Sequence, residues 1–539
     1  MLNFSYMGTL ENFTRHIRVL FFGCLAAATF SVITLLTAPK AYAAQDTCTW
    51  TGAGADANYG TANNWTGCDN GHVPESGDNI VLPAGPTNKT VNLTGSTDMN
   101  DLTISGSDYT ISGGGFLGIY GTPTISGDNN TINPYTIFWF WNSRTLTVSG
   151  SSMVFSNAIQ LEAMDFNLNF FLDVSGDMSV AEITGGLNNE LQTIFKSGEG
   201  TVTETGGAAV MGMHITYGYY ITAGTWRCQS FRCFSDDPSN PVTLIEGGSA
   251  AGSVLDLDFD GYNIQNPIGI SPSSGDPAVI KASQNATIDG AIINISTGVF
   301  DVDANHTLTI NGNIDASNAS FMGKRGPGTL IINTIDANTI AQNGGNLVIT
   351  GSTTAAVTTA AGSILKGTGT IGSATVLGAL APGQSPGVLT INGNLNLTNG
   401  TYTPELNGTV AGSGYDQTVV TGTTTLSNTT LTPSIGFTPA VGNSFTILRA
   451  DTITGTFAGL TDGATFTVSG YTLRVNYNLS PSGEDNIILT VLPTPVSPTP
   501  SATAASAPAT GLQHTDQALS FALLIVGLFV VMGTATEKS

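Results

Sequence analysis

The segment LDLDFDGYN carries the densest set of ligand-type groups in the chain: Asp256, Asp258 and Asp260 at every second position, followed by Gly261. A D-x-D-x-D-G run is how a calcium loop begins, because alternating carboxylates can turn several oxygens onto one hard cation. The position where such a loop places its bidentate Glu is Pro267, so the set is incomplete and needs ligands from a neighbouring coil. The same period of two also describes a strand, with Leu255, Leu257 and Phe259 in the core and an exposed acidic row outside. The exposed row is the first expectation. Calcium, the one cofactor the sequence offers, is the alternative.

Aromatic rings are the second candidate. Tyr217, Tyr219 and Tyr220 cluster, as do Phe166, Phe170 and Phe171, and the run from Ile137 to Trp141 is apolar at every position. A flat ring on a rigid strand suits the apolar face of a sugar, while core filling is the plainer use of the same residues. The Ile137–Trp141 run breaks strand alternation, so either a loop or a partner is expected to cover one of its sides.

Catalysis finds little support. An enzyme on a scaffold of stacked strands needs clustered carboxylates and usually a nearby base. The bases of the central chain, among them Lys89, Arg144, Lys196, Arg227, Arg232, Lys281, Lys324 and Arg325, lie in no recognisable catalytic phrase, and Asp236-Asp237 reads as a solvated turn. No H-E-x-x-H, G-x-S-x-G or phosphate-cradling loop is present. The expectation is a protein that binds rather than one that catalyses.

Cys48, Cys68, Cys228 and Cys233 follow the N-terminal segment as two close pairs. Local disulfides are the simplest pairing, with the two crossed connectivities still open, and neither pair has the His spacing of a zinc site.

These groups must be positioned by something, and the repeats say by what. Phrases of the type T-L-x-I-x-G recur about every 20 residues, at HTLTING (Leu308), GTLIIN (Leu330), GNLVITG (Leu347) and GVLTING (Leu389), with weaker copies at RTLTVSG (Leu146) and NDLTISG (Leu102). A period of about 20 with alternating apolar and polar positions makes each repeat one coil of a stacked β-solenoid. The fold expected is all-β, a right-handed parallel β-helix with hydrophobic helices at its termini. Composition agrees: 10% of the 539 residues are charged and 66 are Gly. The net charge of −23, from 38 acids against 15 bases, repels a phosphate backbone and argues against nucleic acid as a partner.

The organisation is set by the two ends. Arg15, His16 and Arg18 precede the apolar run Val19 to Ala38, and Ala41 and Ala43 offer a cleavage site, so residues 1–44 read as a signal peptide. An uncleaved signal anchor is the alternative, since the run is long. Residues 45–83, with Trp50 and Trp65, suit a cap over the first coil. The solenoid is expected over 84–491, a Pro/Thr/Ala-rich stalk over 492–517, and a membrane anchor over 518–536, which would tie the chain to a membrane through a C-terminal helix.

From Gly323 onward, GKRGPGTLIIN, GSILKGTGTIGSATVLGALAPGQSPGVLTINGNLNLTNG, YDQTVVTGTTTLSNTTL and GNSFTILRADTITGTFAGL resemble the autotransporter-associated β-strand repeats of bacterial passenger domains, over about 323–460. The Trp, Asn-Trp, Val-Pro and Gly-Asp order at the start of the cap is similar to the opening of many bacterial surface β-helix proteins. Ala507-Pro508-Ala509-Thr510-Gly511 resembles a sortase sorting signal, with Ala in place of Leu. Sortase attachment and simple membrane anchoring both remain open. No set of amphipathic strands long enough for an outer-membrane barrel comes after the repeats, so self-translocation is not carried over. The resemblance implies an extracellular, surface-displayed adhesin or structural fibre whose partner is an extracellular glycan or a surface protein of a host or neighbouring cell. A polysaccharide-active enzyme and a self-assembling envelope component are the alternatives.

Overall fold

The structure is a computed structural model that describes residues 45–493 apart from 70–72, 166–167, 186–190, 207–217, 231–232, 235–241, 246–251, 272–276, 294–296, 319–320 and 481–482. The expected signal peptide at 1–44 and anchor at 518–536, all of the expected stalk beyond Pro493, and with them the terminal helices lie outside the described residues. The chain divides into two units after Pro493, and the first holds every described strand. Among the described residues no helix is long and apolar enough to cross a membrane.

Short strands dominate, and nearly all of them pair in parallel with the strand one coil further along the chain. On a first face the strands Leu102–Ile104, Thr124–Ile125, Arg144–Val148 and Leu168–Val174 lie side by side. On a second face Thr110–Gly113, Thr131–Ile132, Met153–Phe155 and Asp177–Val180 do the same. A third face, Thr97–Met99, Phe116–Ile119, Tyr135–Phe140, Ile159–Ala163 and Ile183–Gly185, belongs to this N-terminal part. The result is an all-β chain of β-helix-like repeats in one large, mostly parallel sheet system.

Register explains why this sequence adopts it. Leu82, Ile104, Ile125, Val148 and Val174 stand directly above one another and are all fully buried. Val91, Ile111, Ile132, Phe155 and Val180 form the matching column of the second face. The apolar letters of T-L-x-I-x-G therefore point inward while the threonines between them point out, and β-branched residues suit both sides. The closing Gly of each phrase has its own cause. A Cβ on Gly127 would lie 1.9 Å from the carbonyl oxygen of Gly106, one on Gly150 2.1 Å from that of Gly127, and one on Gly176 2.0 Å from that of Gly150. The coils touch backbone to backbone at this corner, which only Gly permits.

At the N-terminal end Thr47–Trp50 pairs with Trp65–Thr66 antiparallel and with Asn79–Leu82 parallel. Trp50 and Trp65 meet edge to face at 5.0 Å, and Trp65 meets Tyr59 at 5.1 Å. At the other end the long strands Gln417–Leu431 and Ser444–Phe457 are still parallel. The order then reverses: Asp485–Leu492 runs antiparallel to Ser444–Phe457, and Tyr471–Asn478 and Thr465–Val468 are antiparallel in turn. A turned-back antiparallel trio thus pairs with the Ser444–Ala450 part of the last parallel strand.

Candidate binding surface

The acidic row is not what its spacing suggests. Its strand, Ser253–Leu257, ends before Asp258, and Gly261 with φ of +77° turns the chain there. Phe259 is consequently 37% exposed rather than in the core. Asp256 alone stays on the strand, and at 1% exposure it is buried, not exposed. It is covered because Arg227 Nε stands 2.9 Å from its Oδ2 and Ser283 Oγ donates to its Oδ1 at 2.7 Å.

The pairing continues along the face. Arg227, Asp256, Lys281, Asp301 and Arg325 occupy one register column, one residue per coil, with alternating sign. Arg325 Nε lies 2.7 Å from Asp301 and Lys281 Nζ 3.2 Å from Asp303. Asp258 accepts from Gln229 at 2.8 Å, and Asp260 from Asn285 at 2.8 Å. The three carboxylates of the alternative calcium set are thus each held by protein donors. Among the described residues no group of three or more His, Cys, Asp or Glu converges as a metal site would require.

The tyrosine cluster is split. Tyr217 lies outside the described residues. Tyr219 faces inward, packed edge on against Trp226 at 5.5 Å and Phe234 at 5.0 Å, so its role is core filling. Tyr220 faces out and stacks on Phe195 at 5.0 Å, which stacks on Phe171 at 5.2 Å. These three half-buried rings are in register on consecutive coils and form a short outward aromatic row. Phe166 lies outside the described residues, and Phe170 is core.

The run from Ile137 to Trp141 is apolar on both sides because each side makes its own contacts. Phe138 and Phe140 point inward onto Phe170, at 5.2 and 6.0 Å. Ile137, Trp139 and Trp141 point outward on the third face, where Tyr120 lies near-parallel to Trp139 at 6.4 Å and to Trp141 at 6.2 Å. Trp141 is 47% exposed. Beside them Asp98 stands opposite Gly118, and Gly118 opposite Ile137. Asp98 and Tyr120 carry no signal in the sequence; the Gly at an outward position of the phrase FLGI is the only visible clue.

Several charged groups turn inward. Glu204 sits in the second-face column between Val180 and Cys228 and accepts from the Ile183 amide at 3.1 Å and from Trp226 Nε1 at 3.2 Å. Burial pushes its pKa up to about 8. Lys196, inward on the first face, donates to the carbonyls of Gly198 at 2.5 Å and Ala223 at 2.8 Å, and burial lowers its pKa to about 8. Lys324 is held by the carbonyls of Arg325 and Gly326, at 2.8 and 2.7 Å. Neighbouring backbone and side-chain partners satisfy these groups, so they are structural. The cysteines pair locally, Cys48 with Cys68 and Cys228 with Cys233.

The class these features define is an all-β protein of stacked, mostly parallel coils with a mainly apolar interior that also holds a few paired charges. No protein-family model matches the chain, and no curated protein matches it.

Proposed function

We propose that this chain is a cell-surface β-helix protein that works by display, binding through its outer faces as an adhesin or structural surface fibre rather than as an enzyme. In this reading the stack is a right-handed parallel β-helix with a cap at 45–83 and passenger-like repeats at about 323–460. The segment 1–44 exports it, and 492–517 with 518–536 form its stalk and membrane anchor. Its partner is an extracellular glycan or a surface protein of a host or neighbouring cell.

The observation that carries this reading is where the rings are. Phe171, Phe195 and Tyr220 stack outward in register, while other rings, among them Phe138, Phe170 and Tyr219, join Leu, Ile and Val in the interior. Apolar surface kept facing outward on a rigid sheet supports contact with a partner.

Protease shaving of intact cells, combined with glycan and matrix-protein arrays probed with the purified chain and a reducing-sugar release assay, tests it. Surface fragments, retention on one ligand class and no new sugar ends are expected. A chain protected inside the cell, or one that binds neither array, overturns the reading, and released sugar ends would favour a polysaccharide-active enzyme.

A further inference from the structure

We propose that Asn343 is a self-modifying site, where the side-chain amide is lost to attack by the backbone nitrogen of Gly344 and a carboxylate takes its place in the charge column of the second face. The inference is independent of the surface-binding reading above.

The column supplies the first observation. Arg227, Asp256, Lys281, Asp301 and Arg325 alternate in sign, one residue per coil. Lys324 pairs with Gln342, so the next place after Arg325 belongs to Asn343, whose backbone amide donates to the Lys324 carbonyl at 2.8 Å. Arg325 and Asn343 are both exposed. Alternation calls for an acid at this place, and the chain carries there the neutral amide of one.

The residue that follows supplies the second. Gly344 has no Cβ to shield its backbone nitrogen from the side chain before it. The chain holds five other Asn-Gly pairs, of which Asn70-Gly71 lies outside the described residues. The remaining four asparagines are tied down: Asn311 donates to Asp289 at 2.8 Å, Asn392 accepts from Thr421 at 3.1 Å, Asn399 accepts from Asn428 at 2.9 Å and Asn407 donates to Glu405 at 3.4 Å. Three of their glycines are pinned as well, since a Cβ on Gly312, Gly393 or Gly400 would meet an atom at 2.0, 2.4 or 2.4 Å. At Gly344 the nearest atom would be 3.2 Å away. Among the described residues no protein group hydrogen-bonds the Asn343 side chain or the Gly344 amide.

The step balances with water alone. The Gly344 nitrogen gives its proton to solvent hydroxide and attacks the Asn343 Cγ, and the new C–N bond closes a five-membered succinimide. The side-chain nitrogen takes a proton from water and leaves as ammonia. A second water adds to one of the two imide carbonyls. Opening on one side leaves aspartate, and opening on the other leaves isoaspartate, with the chain routed through the former side-chain carbonyl. Either product is an anion one coil beyond Arg325, at a strand spacing of about 4.8 Å, where the guanidinium favours it.

The test is ageing of the full chain in mildly alkaline buffer made with heavy-oxygen water. Samples are digested with pepsin in acid and read by electron-transfer mass spectrometry, which separates aspartate from isoaspartate. Because the other four asparagines must first break a hydrogen bond, Asn343 should convert at least about tenfold faster than Asn311, Asn392, Asn399 and Asn407, with both acids formed and one heavy oxygen gained per event. In concentrated urea, where the fold holds none of them, the five rates should converge. Equal rates in the folded chain, or conversion without heavy oxygen, would overturn the proposal. The place in the column is read separately: Asn343→Asp should raise the melting temperature at low salt, and raise it less in an Arg325→Gln background. A melting temperature unchanged or lowered by Asn343→Asp would remove the carboxylate from the column.

Discussion

Arg227 reaches across one coil to Asp256, its Nε 2.9 Å from a carboxylate that is itself only 1% exposed. The contact starts a column of alternating charge running to Arg325. An apparently acidic strand phrase is therefore neutralised by residues that sequence distance hides. Truncating Arg227 would strand a buried carboxylate. Because the Arg227 side chain is 38% exposed, the cost is discounted for solvent to about 1–2 kcal/mol. Denaturant unfolding of Arg227→Ala should show that loss, and adding Asp256→Asn should recover part of it. No loss on truncation would mean the pair is idle.

Metal dependence is decided by the same residues. With Asp256, Asp258 and Asp260 tied to Arg227, Gln229 and Asn285, the melting temperature should be the same in chelator and in millimolar calcium. Stabilisation by calcium alone would reinstate a metal at this turn.

Glu204 sets a pH response. Its folded pKa of about 8 lies above the ordinary carboxyl value of 4.5, so the folded state holds the proton more tightly. The stabilisation is complete below pH 4.5 and is lost as pH rises through about 8. Between those limits the slope approaches about 1.4 kcal/mol per pH unit. Glu204→Gln keeps an acceptor and removes the proton, so its stability relative to wild type should rise across that window. Parallel pH profiles of the two proteins would reject this account. Lys196 and Lys324, each lowered from 10.5 to about 8, give a slope of the opposite sign, stability rising with pH between those two values.

The glycine corner gives a steric prediction. Gly150→Ala places a methyl 2.1 Å from the Gly127 carbonyl oxygen and forces two coils apart, at a cost of about 1–3 kcal/mol. Gly85→Ala, with open space around it, should be near neutral. Equal thermal stability of the two variants would contradict the corner packing.

Much of the stack is legible in the sequence because one coil is a local object. The inward placement of Leu146 and Val148 and the recurring Gly follow from spacing within a phrase, and the cysteines take the simplest, local pairing. Relations between coils are not legible. The Arg227–Asp256 contact and the Phe171–Phe195–Tyr220 row depend on which residue lies above which, and small differences in loop length set that register. The run LDLDFDGYN misleads because strict alternation continues for three residues past the end of the strand, where Gly261 turns the chain.

The reversal after Phe457 also bears on how copies of the chain could associate. A parallel edge left bare would be a template on which another molecule could continue the same ladder. Here Asp485–Leu492 already occupies the Ser444–Ala450 part of that row and runs the opposite way. Another molecule therefore cannot continue the parallel ladder along that part of the edge.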